Sequence, residues 1–246
     1  MNKLIVLLLV CGLSTGAFAK DFAQFKQERL ITKLLKQQVN QQISLKNSIS
    51  SILTIYPEQV EAVLKVALDE YPDKYEDIMI GAMEAEPVLA CDVIEIVLKA
   101  NVASASEVVS IAVQAEPAYA QEIVSIAAMN SPADIENIVR VAILTEPVVS
   151  QAVVTNTANS FPDQVLSVLL GAIKAVPEKV SSFVRDTIAL FPTDSEAIVT
   201  HAVISSDKKH ASKIVDSAIQ AGLNEQDAIN AAIAGGAKAE RFAQNK

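Results

Sequence analysis

Apolar and polar positions alternate along this chain in a frame of 15 residues. PAYAQEIVSIAAMNS and PADIENIVRVAILTE, residues 117–146, are two copies set end to end, and the opening proline recurs at Pro57, Pro72, Pro87, Pro117, Pro132, Pro147, Pro162, Pro177 and Pro192. Val102 is the one vacancy in that series, and no proline falls outside it. Counting proline as position 1, position 7 is large and apolar in every unit, from Val63 and Ile78 to Phe183 and Ile198. Position 8 follows suit, and position 11 is small, as at Ala67, Ala82 and Ala142. This is an internal repeat.

Apolar residues concentrated at 4, 7, 8, 11, 12 and 15 follow the i, i+3, i+4, i+7 rule, which draws one stripe along an α-helix and cannot lie on one face of a strand. Valine and isoleucine are abundant and favour strands. A β-solenoid, however, needs corner residues that accept positive φ, and the chain has seven glycines. Each unit is therefore predicted to be one helix, from position 1 to about position 12 and roughly 18 Å long. Proline suits the first helical turn and expels the preceding residue from helical geometry, so it marks each boundary. Acidic residues such as Glu58, Asp73, Asp134, Asp163, Glu178 and Asp194 occupy the opening turns, where the helix dipole favours them. Connections of about three residues force antiparallel neighbours. The expected fold is all-α: an α-solenoid, a right-handed or open superhelix of antiparallel helical hairpins built from 15-residue, one-helix repeats.

The flanks of the array differ from it. Residues 1–19 read as a secretory signal peptide, with an apolar run from Leu4 to Leu13 and Ala17-Phe18-Ala19 as the cleavage signal, so cleavage is expected after Ala19 and the protein is expected to be periplasmic or secreted. Cys11 raises lipoprotein processing, but Val10 stands where a small residue is needed. Residues 20–56 carry Lys20, Lys26, Arg29, Lys33, Lys36 and Lys46 against Asp21 and Glu28. They read as a basic amphipathic helix followed by a degenerate unit with Leu45, Ile49 and Leu53 in frame. Such a segment either caps the first open apolar face or offers a basic surface to anionic lipid or an acidic partner. Ten units fill 57–206, degenerate closing repeats follow over 207–236, and residues 237–246 are expected to fray as a disordered tail.

Charge and chemistry narrow the function classes. Taking the seven basic and two acidic residues of positions 1–46 from totals of 20 and 29 leaves 13 against 27, so the array and tail carry −14. Nucleic acid is disfavoured as a partner, because phosphate binding needs a basic stripe. No later run reaches the length of a membrane span. Cys91 is the single cysteine after Cys11 and is expected to be buried. His201 and His210 lack metal-ligand spacing, and no glycine-rich phosphate loop or nucleophile elbow occurs. No enzyme activity, cofactor or metal is expected.

Two sets of residues remain as candidates. Position 10 turns polar late in the array, at Asn156, Asp186 and His201, with Gly171 among them, which suggests a polar groove or a wetter border of the stripe. Gly81 and Gly171 share that position, where glycine is unfavourable unless helices cross closely. Alternate units place Val88 and Leu89, Tyr119, and Val148 and Val149 at helix starts of one layer, as an apolar ridge for a partner or as staples for the loops. The expected function is an exported, non-enzymatic scaffold that binds another polypeptide; the alternative is a self-assembling structural protein of the cell envelope or extracellular matrix.

Overall fold

The computed structural model describes residues 25–242. The expected signal peptide, with its cleavage after Ala19, and Cys11 lie outside the described residues. Among those residues the chain is helical throughout, with no strand. It divides into two compact units, the first ending at Val102 and the second starting at Ala103.

The first unit contains α1 (25–40), α2 (Leu45–Ile55), α3 (Val60–Glu70), α4 (Tyr75–Ala85) and α5 (Ala90–Ala100). α2 packs beside α4 and α3 beside α5, the alternation that hairpin stacking requires. α1 lies along α3, tied by Lys65–Glu28 at 2.9 Å, Lys36–Glu70 at 2.6 Å and a bond from Gln27 to Gln59. It buries Ile31 and Leu35 there, which makes it a cap over the open end of the core.

The second unit contains α6 (Ala105–Ala115), α7 (Ala120–Asn130), α8 (Ile135–Thr145), α9 (Ser150–Ser160), α10 (Val165–Ala175), α11 (Val180–Leu190), α12 (Ser195–Ser205), α13 (Ala211–Gln220) and α14 (Glu225–Ala234). Its even-numbered helices pack against one another in one layer and its odd-numbered helices in a second. Each unit is thus a stack of helical repeats, the architecture of an all-α solenoid. Positions 4, 7, 8, 11 and 12 form the core between the layers, as with Ile135, Ile138, Val139, Ala142 and Ile143 in α8, each at most 1% exposed. Burying a side chain of that size stabilises by about 1.5–3 kcal/mol.

The junctions are tighter than the sequence frame suggests. Positions 1 to 3 form a 3₁₀ turn that runs directly into an α-helix over positions 4 to 14, so position 15 alone leaves helical geometry. Proline expels it: Tyr71 has φ −137° and ψ 57°, Phe161 φ −130° and ψ 65°. Both polar groups of that residue remain paired. The N–H of Tyr71 donates to Ala67 O at 2.8 Å, and its carbonyl accepts from Lys74 N at 2.9 Å.

Where proline is missing, other chemistry reverses the chain. Asn101 adopts left-handed geometry, φ 54°, and Ser104 and Glu107 form a capping box that starts α6. That junction is also where the two compact units meet in sequence. Gln42 with Ser44, and Gly222 with Asn224, repeat the device at the first and last hairpins. The tail departs from expectation. Ala237 is 9% exposed, Ala239–Arg241 is a 3₁₀ turn, and Arg241 Nη1 donates to Lys208 O at 2.5 Å, so residues up to 242 are tied down rather than frayed.

Candidate functional site

Position 10 points sideways within its layer, at the preceding helix of that layer, rather than towards the other layer. Gly81 shows it in the first unit: a β-carbon there would stand 2.5 Å from Lys46 O. Gly171 shows it in the second, where a β-carbon would overlap Glu136 O. The close crossings expected at these glycines are therefore present. Asn156 Nδ2 likewise donates to Ser125 Oγ on α7 at 3.2 Å, and Asp186 accepts from Gln151 Nε2 on α9 at 2.6 Å and from Arg185 Nε at 2.9 Å.

That direction decides the fate of the expected polar groove. Asn156 and Asp186 stand on α9 and α11 of the odd layer, while the half-buried His201 stands on α12 of the even layer, and Gly171 faces Glu136 rather than His201. Asn156 and Asp186 each meet a lateral neighbour in the odd layer. The residues just after these two are more unusual: Thr157 and Thr187 are buried at position 11, and neither Oγ1 has a hydrogen-bond partner among the described residues. Cys91 is half-buried rather than buried, because position 5 borders the stripe.

The expected apolar ridge is also redrawn. A 3₁₀ turn advances about a third of a circle per residue, and in the units opened by Pro87, Pro117 and Pro147 positions 2 and 3 are buried to different extents. Position 2 faces outward there: Val88 is 60% exposed and Val148 86%. Position 3 leans inward, leaving Tyr119 and Val149 half-buried and Leu89 only 7% exposed, part of the first unit's core. Leu89 is thus removed from the candidate surface. In the second unit Leu144, 51% exposed, sits in the last turn of α8, four residues before Val148. Tyr119, Leu144, Val148 and Val149 all lie at the end of the layers where even helices stop and odd helices start.

Several contacts at these starts escape a one-helix reading, because they depend on which helices share a layer. Lys179 Nζ, at position 3 of its unit, donates to Pro147 O at 3.2 Å and to buried Ser150 Oγ at 2.7 Å, clasping α11 to α9. On the even layer Ser106 Oγ donates to Asp134 at 3.1 Å and accepts from Asn137 Nδ2 at 2.5 Å, and Arg140 Nη2 donates to Asn137 Oδ1 at 2.5 Å. At the N-cap of α6 the hydroxyl and the backbone N–H of Ser104 donate to Glu107 and hold its carboxyl below the ordinary value.

Fold and surface together define a helical-repeat protein of the all-α solenoid class. Comparison with protein-family models, with curated proteins and with solved structures finds no match. Among the described residues no helix is long and apolar enough to cross a membrane.

Proposed function

We propose that this protein is an exported scaffold whose second unit holds an apolar segment of another polypeptide at the Pro147 turn. The observation that carries the reading is Val148, 86% exposed at the apex of that turn. Exposed Leu144 lies four residues before it, at the end of α8, and half-buried Val149 adjoins it. Equivalent position-2 sites carry Ala118, Asp163 and Glu178, so the frame does not demand an apolar residue here. Exposed apolar clusters rimmed by polar residues are where proteins bind one another, and the stacked layers supply a rigid backing. The −14 balance of the array keeps the remaining surface soluble and unattractive to anions. Export rests on the leader-like residues 1–19.

Photocrosslinking tests this reading. A photoreactive residue placed at 148, and in a control at 163, is irradiated in the exported fraction of the producing cells. A discrete heterologous polypeptide joined at 148 and not at 163 supports the scaffold. Adducts made only of this chain favour the self-assembling alternative, and the absence of any adduct at 148 contradicts docking there.

A further inference from the structure

We infer that α1 docks the protein on an anionic phospholipid bilayer, with Leu30 and Leu34 entering the interface and Lys26, Arg29, Lys33 and Lys36 meeting the phosphates. Capping needs only one stripe of this helix. Ile31 and Leu35 are buried against the first unit, yet Leu30 is 68% exposed and Leu34 39%, one turn apart on another face. Spacings of three, four and seven set Lys26 and Lys33 beside that pair and align Arg29, Lys33 and Lys36 along the adjoining face. All four cationic residues are exposed. Arg29, Lys33 and Lys36 also line a shallow surface depression with Gln37, Asn40 and Gln41, whose amides can donate to a phosphate headgroup, and with Glu70, whose carboxylate is held by Lys36.

Among the described residues Lys36 and Arg29 have partners, and neither partnership uses up the face. Lys36 pairs with Glu70 while half of its side chain stays in solvent, and Arg29 lies 5.6 Å from the ring centroid of Phe25, itself 56% exposed. Exposed leucines bordered by long basic side chains match an interfacial helix, since the aliphatic stems can lie along the acyl boundary while the charges reach headgroups. The charge of the rest of the chain makes α1 the segment that an anionic membrane would select. Residues 47–246 carry −14, so an anionic surface repels the array and attracts α1. An acidic protein or a second copy would satisfy the cations too, but it would need a shaped apolar receptor for Leu30 and Leu34, which a bilayer supplies without one. α1 and the Pro147 turn belong to different compact units and share no residue, so the vesicle and crosslinking experiments test the two sites separately.

Cosedimentation with vesicles decides the matter. The processed chain beginning at Lys20 is used, because the apolar run Leu4 to Leu13 would itself bind lipid. The expected result is binding to vesicles of phosphatidylglycerol mixed with phosphatidylcholine, none to phosphatidylcholine alone, and release by salt. Lys26→Gln/Arg29→Gln/Lys33→Gln should weaken binding on the order of a hundredfold. Leu30→Ser/Leu34→Ser should also release the chain, with the melting temperature held because both side chains are already exposed. Equal binding to neutral vesicles, no binding to either, or a triple variant that binds undiminished would each overturn the inference. So would concentration-dependent self-association without vesicles that the triple variant abolishes while vesicle binding is absent; that result assigns the face to a second copy.

Discussion

Gly171 rests against the backbone carbonyl of Glu136, so closely that any β-carbon at 171 would overlap the oxygen. The same contact joins Gly81 to Lys46 in the first unit, again position 10 against position 5 of the preceding helix in the layer. Both crossings are flanked by an ion pair between positions 5 and 13 with the signs exchanged: Lys46–Glu84 at 2.7 Å and Glu136–Lys174 at 2.5 Å. Glycine therefore sets the distance between axes. The exposed pairs are expected to add little, since such bridges are worth about 0–1 kcal/mol.

Gly171→Ala tests that division of labour. In an unconstrained helix interior alanine would be favoured by about 1 kcal/mol; here the two backbones must move apart, an overpacking that costs about 1–3 kcal/mol. The variant should melt below the wild type, while Lys174→Gln should change the melting temperature little. A more stable Gly171→Ala protein would show that the crossing is not close.

Thr157 and Thr187 bury hydroxyls that find no partner among the described residues. A desolvated, unpaired polar group costs about 1–3 kcal/mol, and valine keeps the shape while removing the hydroxyl. Thr187→Val should therefore raise the denaturation midpoint in urea without changing its slope. A lowered midpoint would mean that the hydroxyl is satisfied in solution.

The capping box gives α6 a pH dependence of defined sign. Hydrogen bonds from Ser104 depress the carboxyl of Glu107 in the folded chain, so the stabilisation is present above the unfolded value of about 4.3 and is lost as pH falls through the lower folded value. Glu107→Gln should lower the melting temperature at neutral pH, and its difference from wild type should shrink on acidification below pH about 4. A difference that stays constant across that range would remove the carboxylate from the account.

Ile123 and Gln121 separate the two faces of α7. Ile123 is 0% exposed at position 7, and Gln121 is half-buried at the border of the stripe. Ile123→Asp places an unpaired charge in the core, which costs several kcal/mol or forces protonation, whereas Gln121→Asp leaves its charge in reach of water. Thermal denaturation should rank Ile123→Asp far below Gln121→Asp, and equal melting temperatures would mean the face is misassigned.

The core was legible because proline and the apolar stripe keep one period, so Val63, Ile138 and Phe183 could be assigned to the interior without coordinates. The junction at Val102 was legible in principle: Asn101 followed by Ser104-x-x-Glu107 spells a left-handed stop and a capping box, yet the missing proline alone does not reveal that two compact units meet there. Lateral contacts were hidden, because Asn156 with Ser125, or Lys179 with Ser150, depends on register between helices about 30 residues apart. Leu89 was misplaced for a related reason. The frame says that positions 2 and 3 open a helix, but whether position 3 is buried differs between units, with Leu89 buried and Lys74 and Asp194 exposed, so it depends on neighbouring helices rather than on the frame.

One helix per 15 residues, in two alternating layers, makes each compact unit, and paired deletions test this most directly. Removing 117–146 takes out α7 and α8 as one complete hairpin and brings the carbonyl of Ser106, at position 5 of its own unit, to the place that Glu136 holds beside Gly171. Removing the eight residues 139–146 instead cuts α8 and breaks the frame. Thermal unfolding followed by far-UV circular dichroism should show the first protein helical and cooperatively folded and the second largely unfolded at the same temperature. If the two deletions melt alike, the repeat frame does not govern the fold.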